Sequence, residues 1–410
     1  MPIRISGSTG ISGLDGSATT PVLQGASANS GIYYSGNTVF VSTSGTNALT
    51  IGPTGNVAFA NSSVSIGGQT ISAYSGMMKN RIINGDFRID QRFAGTANNN
   101  IALNQYVVDR WRYNAIAAAK LRYQQNNTNG PGSSATQIAT GFPNYFGANV
   151  VSSNTVNAGD YWFFAQDVEG LNVSDLGWGT ANAAPVTISF WSYSSIAGSH
   201  GGSLRNGSGN RSYPFSYSIS AANTWQYQTI TIPGDTTGTW FSNNNTGVTV
   251  FFGIGLGSNY TSTANGIWQT GNYYNATGSV NIIGAANGAF YLTGVQLEKG
   301  SQATPFEFRH YTTELQLCQR YFSSSSASFV LPIVRTSDAR RQGTYFFKEN
   351  MRISPTILTF TLSLDGASGS GTVTETGVDS FSIDINPSSS AGSVIKCSSF
   401  TASAELAVLN

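Results

Sequence analysis

The side chains with the clearest potential for catalysis are carboxylates, several of which have an arginine or lysine close by in the sequence. They are Asp86, Asp90, Asp109, Asp167, Glu169, Glu298 and Glu307. Hydrolysis would need two carboxylates facing one bond, or a nucleophile beside a base. Only two histidines occur, His200 and His310, and there is no GxSxG, HExxH or P-loop motif. We therefore expect structural ion pairs at strand ends and no enzyme. A glycan depolymerase that combines carboxylates from several subunits is the less favoured alternative.

One loop has the composition of a sugar-binding surface. Sugar rings present C–H-rich faces to aromatic side chains and hydroxyl groups to amides. The segment 257–279 supplies both kinds of partner, and we expect glycan contacts from Asn259, Tyr260, Trp268, Gln269, Tyr273 and Tyr274. Trp111, Trp191 and Trp225 lie in strand-like runs and are expected to pack in the core.

A second candidate contact surface is an arginine cluster near the C-terminus. It consists of Arg335, Arg340 and Arg341. The same cluster is consistent with a solvated turn, or with pairing to acidic residues of a neighbouring subunit.

Composition argues against several classes of function. The 410 residues include 47 Gly but only 10% charged side chains, and the formal net charge of +1 gives no field to attract nucleic acid or an anionic membrane. Cys318 and Cys397 form neither a disulfide framework nor a zinc-ligand spacing, and Cys318 is expected to be a buried thiol. Because the sequence shows no signal peptide and no run of eighteen apolar residues, we expect synthesis in a cytoplasm and no membrane insertion. We expect no cofactor.

Periodicity and turn chemistry predict an all-β fold with one short helix. Apolar residues recur at every second position in short runs, which Gly, Asn and Ser separate. We expect an N-terminal assembly or shaft region at 1–78, an antiparallel β-sandwich at 79–311, a connecting helix at 312–322 and a small β-domain at 323–410. Strands in the first region have two or three apolar side chains each, so a core shared between copies of the chain would stabilise them. A flexible linker is the alternative.

The connecting helix has a recognisable start and an apolar face. Thr313 and Gln316 have the spacing of a capping box, which predicts that the helix begins at Thr313. Leu315, Cys318 and Phe322 fall on one helical face. A helix this short is not stable alone, so it must pack on the sandwich, on the C-terminal domain or on symmetry mates.

An ordered series of motifs resembles a known family. The series contains NRIINGDFRIDQR (80–92), YVVDRW (106–111), QDVEG (166–170), LGWGTANAAPVTISFW (176–191), NTWQYQTITIPGDTTGTW (223–240), LTGVQLEKGSQATPFEFR (292–309) and ELQLCQRYF (314–322). Together these motifs resemble the jelly-roll, carbohydrate-binding-module-like domain of tail fibres and other structural proteins of tailed bacteriophages. KENMRISPT (348–356) is similar to the family's C-terminal β-domain, so the resemblance extends over about residues 77–410.

The resemblance implies a homotrimeric virion protein that is assembled in the host cytoplasm. Its N-terminal region would contact other virion proteins, and its jelly roll would attach to the bacterial surface by non-catalytic glycan binding. A purely structural head decoration or fibre protein is the alternative.

The resemblance also raises the question of calcium. Jelly rolls of this kind often hold a structural Ca²⁺ with carboxylate and carbonyl oxygens. Asp86 in the first strand is the candidate ligand, although the last strand, LTGVQLE (292–298), lacks the paired acids that complete such a site. Trp178 and Trp240 belong to the family motifs and are expected to be structural.

Overall fold

The structure is a computed structural model, and nearly all of its regular structure is β-strand. It describes residues 4–6, 10–12, 16–24, 26–27, 29–59, 63–66, 69–72, 78–98, 103, 105–126, 141–325, 329–331, 333–337, 340–364, 367–368, 371–385 and 395–406. The chain divides into two compact units, Met1–Met77 and Met78–Asn410. The predicted all-β fold class is confirmed.

The N-terminal unit is built from short antiparallel hairpins. Its strands are β1 (Arg4–Ser6), β2 (Gly10–Ser12), β3 (Leu23–Gln24), β4 (Gly31–Ser35), β5 (Thr38–Thr43), β6 (Thr46–Ile51), β7 (Val57–Phe59), β8 (Ser63–Ile66) and β9 (Gln69–Ser72). Strands β3 to β7 form one sheet in sequence order. Tyr33 stacks on Phe40 with a centroid distance of 4.6 Å, whereas Val57 and Phe59 are about half exposed. Val57 and Phe59 of β7 therefore keep about half of their surface exposed.

The second unit begins with a two-sheet antiparallel β-sandwich. Its strands are β10 (Gln105–Val108), β11 (Trp111–Ala115), β12 (Leu121–Asn126), β13 (Tyr145–Val150), β14 (Tyr161–Glu169), β15 (Val186–Ser194), β16 (Gly198–Asn206), β17 (Arg211–Ile219), β18 (Gln226–Ile232), β19 (Thr246–Leu256), β20 (Thr261–Ser262), β21 (Gln269–Thr270), β22 (Asn275–Ala276) and β23 (Ala289–Lys299). Short 3₁₀ helices occur at Gly170–Asn172, Ser174–Leu176 and Ser258–Tyr260. The seven-stranded sheet has the order β10-β11-β14-β19-β16-β17-β21, and the five-stranded sheet has the order β12-β13-β23-β15-β18. Two packed antiparallel sheets with strands crossing between them are consistent with a jelly roll.

Side-chain alternation separates the core of the sandwich from its two outer faces. Along β15, Ile188 and Phe190 are fully buried in the core between the sheets. Successive side chains of a strand point to opposite faces, so Ser189 and Trp191 lie on the outer face of the five-stranded sheet. This alternation decides which aromatic side chains face the core and which face the outer surface.

One α-helix, α1 (Tyr311–Gln319), follows the sandwich within the described residues. Its N-cap is His310, with no side-chain capping bond, so the capping-box prediction that started the helix at Thr313 is wrong. The first turn is held by tertiary contacts, since the Glu314 carboxylate accepts a hydrogen bond from the backbone N–H of Asn84. Cys318 is fully buried, which confirms the predicted core thiol. Phe322 lies beyond the helix, in the next strand.

A smaller two-sheet β-domain completes the second unit. Its strands are β24 (Phe322–Ser325), β25 (Phe329–Leu331), β26 (Ile333–Ser337), β27 (Arg340–Phe346), β28 (Thr356–Leu364), β29 (Ala367–Ser368), β30 (Gly371–Thr376), β31 (Ser380–Ile385) and β32 (Ile395–Ser403). One sheet has the order β24-β32-β28-β29, with β25 also pairing with β32, and the other has the order β26-β27-β31-β30. Phe381, Ile383, Cys397 and Phe400 are buried between them.

Candidate functional site

Charged residues from the sequence motifs meet where the C-terminal β-domain joins the sandwich. The Arg110 guanidinium pairs with Glu405, donates to the Asp167 carbonyl at 2.5 Å and lies 3.5 Å from the centroid of the Tyr321 ring. Arg92 pairs with the same Glu405 carboxylate at 2.7 Å. We call Arg92, Arg110, Tyr321 and Glu405 the joint cluster. Because Glu405 and Tyr321 lie outside the sandwich, these contacts hold later parts of the chain against it.

Glu169, at the end of β14, extends the joint cluster toward α1. Its carboxylate accepts two hydrogen bonds from Arg320, at 2.7 and 3.0 Å, and one from the Tyr321 hydroxyl at 2.6 Å. Beside it, an apolar cluster joins Cys318 and Tyr321 to Ile83 and Leu406. The helix therefore packs on the sandwich and on the end of the C-terminal domain, two of the three surfaces expected from the sequence.

Four of the seven motif carboxylates form ion pairs, and two of these four pair with the arginine that is close in sequence, as predicted. These pairs are Asp86–Arg88 at 2.6 Å, Asp167–Arg112 at 2.6 Å, Glu169–Arg320 at 2.7 Å and Glu307–Arg309 at 3.4 Å. Although burial opposes the charged form, pairing with Arg112 and a hydrogen bond from Thr249 hold the pKa of Asp167 below its usual value. The Asp167 carboxylate is therefore charged and already bonded to partners within the sheet.

The other three carboxylates accept hydrogen bonds from neutral groups. Asp90 accepts backbone N–H groups of its own turn, at 2.8 and 3.0 Å. Asp109 accepts both the backbone and side-chain N–H groups of Gln91, at 2.7 and 2.5 Å. Glu298 accepts the Thr304 hydroxyl at 2.6 Å. All seven carboxylates are thus engaged in ion pairs or hydrogen bonds within the fold.

Asp86 lies in a setting that disfavours a cation. Its buried carboxylate faces the Arg88 guanidinium, whose positive charge would repel a metal ion. Burial raises the pKa of this carboxyl above its ordinary value, and Arg88 only partly offsets the shift. Across the described part of the chain, no three His, Cys, Asp or Glu side chains are grouped so that they could hold a metal.

The loop predicted to bind glycan folds over the outer face of the seven-stranded sheet. Tyr274 is buried there, stacked on Tyr260 at 5.2 Å and packed against Phe163 and Phe251. Its hydroxyl accepts an N–H from Asn272 at 2.9 Å. The ring faces of Tyr274 therefore serve packing.

Trp268 and Gln269 of the same loop are also held by internal contacts. Trp268 packs edge-on against Trp178 and Trp240, at 5.4 and 5.3 Å, and its indole N–H donates to the Pro233 carbonyl at 2.6 Å. The Gln269 amide bonds the Ser262 hydroxyl and the Ala264 carbonyl. Trp178 and Trp240 are structural, as expected. Asn259 is exposed and Tyr273 half-buried, and glycan contact by the six loop residues stays a prediction.

The tryptophans of the strand-like runs have three different environments. Trp111 is buried in the sandwich core, which confirms its prediction. Trp225 is partly buried in a separate aromatic cluster with Tyr145, Tyr193 and Tyr291, on the outer side of the five-stranded sheet, so its predicted position in the sandwich core is wrong. Trp191 is only partly buried, so its predicted core position is wrong. The side chains of Arg335, Arg340 and Arg341 lie outside the described residues.

Trp191 lies in a groove on the outer face of the five-stranded sheet, which we call the aromatic groove. The groove has a volume of about 290 Å³ and is lined by Gly141, Phe142, Ser189, Trp191, Tyr227, Gly294, Pro305, Phe306 and Phe308. Tyr227 is 47% exposed and Phe308 is 55% exposed. Their rings are therefore open to a ligand, unlike that of Tyr274, which is buried.

Two aromatic groups form the sides of the groove. Trp191 and Tyr227, paired across β15 and β18, have ring centroids 5.5 Å apart and planes tilted by 50°. On the other side, Phe142, Phe306 and Phe308 contact one another at centroid distances of 4.9 to 5.3 Å. Such ring faces, together with one indole N–H and one phenol hydroxyl, suit a ligand with apolar C–H faces and a few hydroxyl groups.

Gly294 lets the two sides of the groove approach each other. It has a φ of +61°, and a Cβ at this position would lie 2.5 Å from the Phe142 ring. Glycine is therefore needed both for the left-handed backbone and for the close packing of Phe142.

The sequence analysis did not predict the aromatic groove, although the alternation of side chains along β15 and β18 indicates two of its residues. In β18, Tyr227 lies an odd number of positions from Ile230, so the two side chains point to opposite faces of the sheet. Trp191 likewise alternates with the core-facing Ile188 and Phe190 of β15. An aromatic residue out of phase with the apolar residues of its strand is the observation that identifies an outer-face ring. Phe306 and Phe308 carry no such signal, because the segment after β23 is not a strand.

The fold and the groove define an all-β protein with an aromatic-lined surface on an antiparallel sandwich. No family model and no curated protein matches the sequence. Solved structures similar to the chain include TmCBM61 in complex with β-1,4-galactotriose, with 12% identity, coverage of 46% of this chain and 88% of that one, and a TM-score of 0.24. A family 11 carbohydrate-binding module from Clostridium thermocellum has 11% identity, coverage of 50% and 99%, and a TM-score of 0.23. A tandem CBM22 domain from Paenibacillus barcinonensis has 10% identity, coverage of 78% and 92%, and a TM-score of 0.22. These TM-scores are too low to bear on the function of this chain.

Among the residues that the structure describes, no helix is both long enough and apolar enough to cross a bilayer.

Proposed function

We propose that the protein is a non-catalytic adhesin that binds glycan on a bacterial surface through the aromatic groove. The observation that carries this proposal is the exposure of aromatic rings on both sides of the groove, including Tyr227 and Phe308. Exposed rings remove their faces from water when they stack on the C–H face of a sugar, which stabilises the complex.

The groove also indicates the charge of the glycan. None of the residues that line it is charged, so it offers no partner to a uronic or sialic carboxylate. A carboxylate desolvated there without a cation would be strongly disfavoured. We therefore propose a neutral glycan segment as the ligand.

The biological setting of the proposal is a tailed-phage virion. Its support is the series of motifs described above, from NRIINGDFRIDQR (80–92) to ELQLCQRYF (314–322). We further propose that the chain forms a homotrimer and contacts other virion proteins through its N-terminal unit. The half-exposed Val57 and Phe59 of β7 support burial between copies. A stable monomer in analytical ultracentrifugation of the whole chain would exclude the trimer.

Binding of the full-length protein to extracted capsule and lipopolysaccharide tests the function. We expect Trp191→Ala and Tyr227→Ala each to weaken glycan binding by about tenfold, which corresponds to about 1.4 kcal/mol and is typical of one lost aromatic contact. The matched control is Tyr311→Ala, because Tyr311 is 55% exposed but lies outside the groove.

Three other outcomes would replace this proposal. Shortening of the polysaccharide would establish a depolymerase. Absence of glycan and cell binding, together with density for the protein on the capsid, would establish a structural decoration. Unchanged binding in both Trp191→Ala and Tyr227→Ala would place the glycan site elsewhere.

A further inference from the structure

A second concave surface lies on the opposite side of the sandwich from the aromatic groove. It is a cleft of about 410 Å³, formed where the turn before β14, the end of β19 and the turn after β22 meet. We call it the polar cleft. Its volume falls within the range of about 300–1,000 Å³ that is usual for small-molecule sites. Nothing in the joint cluster or the groove accounts for it.

The polar cleft is built on two glycines of the seven-stranded sheet. Strands β20 and β22 form a separate parallel pair, with Thr261 opposite Asn275. A Cβ at Gly201 of β16 or at Gly253 of β19 would collide with the Asn275 carboxamide. The two glycines therefore leave the space in which this carboxamide lies flat on the sheet.

Asn275 is held so that its N–H groups are available to a ligand. The residue is 3% exposed, and its Oδ1 accepts the Ala276 backbone N–H at 2.9 Å and the Ser279 hydroxyl at 3.1 Å. Because a backbone N–H donates to it, this atom must be the carbonyl oxygen and the other must be the NH₂ group. The Nδ2 atom has no hydrogen-bond acceptor among the described residues, although Asn275 lines the cleft. Asn275 Nδ2 is not one of the buried atoms that lack a partner, so solvent reaches it, and a ligand oxygen in the cleft can take the place of water as its acceptor.

The rest of the lining defines what kind of ligand fits. No lining residue is charged, so the cleft offers no side-chain cation to a phosphate or a carboxylate. Leu256 and Val280 provide apolar contact, whereas Asn157, Ser258 and Thr277 provide amide and hydroxyl groups. A pyranose ring has both an apolar face and hydroxyl groups that donate and accept.

We propose that the polar cleft binds a single neutral sugar residue, with a sugar oxygen accepting hydrogen bonds from Asn275 Nδ2. This site is independent of the aromatic groove, because the two occupy outer faces of different sheets. One short glycan segment cannot reach both faces, so the two sites would contact separate segments or chains. Two such contacts on one particle strengthen attachment through effective concentration.

Ligand-observed saturation-transfer NMR with the full-length protein tests the polar cleft. The probes are glucose, galactose, mannose, N-acetylglucosamine and rhamnose, each measured separately. We expect at least one sugar to give a signal, and expect Thr277→Trp, at an exposed lining position, to weaken its binding by about tenfold or more. The matched control is Thr263→Trp, at an exposed position of the same loop that does not line the cleft, and it should leave binding unchanged.

A second variant tests the donor itself. Asn275→Asp keeps an oxygen for the Ala276 N–H and the Ser279 hydroxyl but removes the free N–H groups, so it should also lose the sugar signal. Loss in both variants, with retention in Trp191→Ala, supports the proposal and separates it from the groove. The proposal is overturned if no sugar gives a signal, or if the signal survives Thr277→Trp. A signal lost only in Trp191→Ala overturns it while the function of the groove stands.

Discussion

Replacing Glu405 with alanine tests whether buried charge holds the C-terminal β-domain against the sandwich. The Glu405 carboxylate lies between Arg92 and Arg110, and the Arg110 side chain is 1% exposed. Glu405→Ala leaves both cations at the joint without a carboxylate. Arg110 retains the Asp167 carbonyl and the Tyr321 ring, so the loss of partners is large but incomplete.

We expect the variant to lose about 3 kcal/mol of stability at the joint. Removing one partner of a buried ion pair costs about 3–5 kcal/mol, because the remaining charge stays desolvated without compensation. We expect a cost at the lower end of this range because Arg110 keeps its contacts with the Asp167 carbonyl and the Tyr321 ring. Native-state hydrogen exchange of the β32 amides measures the local opening free energy. It is preferable to a single melting transition, since a unit of this size is not expected to unfold in one step.

Asp175→Ala is the matched control for this experiment. Asp175 also pairs with an arginine, Arg81, at 2.9 Å, but its side chain is 46% exposed. Exposed pairs contribute about 0–1 kcal/mol because water and ions screen them. If Glu405→Ala changes the β32 exchange no more than Asp175→Ala does, buried pairing at the joint cluster is not what holds the domain.

Two further substitutions probe a buried acid and the groove backbone. Burial outweighs nearby Arg92 and raises the pKa of Asp109 to about 7. Because this folded-state value exceeds the unfolded value of about 3.9, the folded protein binds the extra proton, and stability falls as pH rises from about 4 to 7. Asp109→Asn should remove that dependence in denaturant unfolding at pH 4 and pH 8, and parallel curves for variant and wild type would refute the assignment. Gly294→Ala should cost about 1–2 kcal/mol for its left-handed backbone and displace Phe142, so its unfolding free energy falls and its glycan binding weakens. Unchanged binding would show that the position of Phe142 does not matter to the groove.

The sequence was sufficient for the all-β class and for the structural use of most charged residues. Strand periodicity and turn composition are local properties, so they can be read without knowing the partner strands. The ion pairs of Asp86 and Glu307 join residues close in sequence, and proximity predicts them. The partners of Glu169 and of Arg110 lie far along the chain, at Arg320 and Glu405, and proximity gives no signal for them.

The start of α1 shows how tertiary contacts override a local pattern. Thr313 and Gln316 have capping-box spacing, but the helix begins at Tyr311 without a side-chain cap. Glu314 instead bonds the backbone of Asn84, more than two hundred residues earlier. A helix of two to three turns takes most of its stability from packing, so its surroundings decide where it begins.

For the candidate binding surfaces, too, some features follow from the sequence and others only from the tertiary structure. The sequence by itself determined that this chain makes strands, which side chains alternate along them, and that aromatic and amide residues are plentiful in one loop. Only the tertiary structure decided that Tyr274 is covered, whereas Tyr227 is open beside the partly buried Trp191. Alternation assigns a side chain to a face, but exposure depends on which distant segment lies over that face.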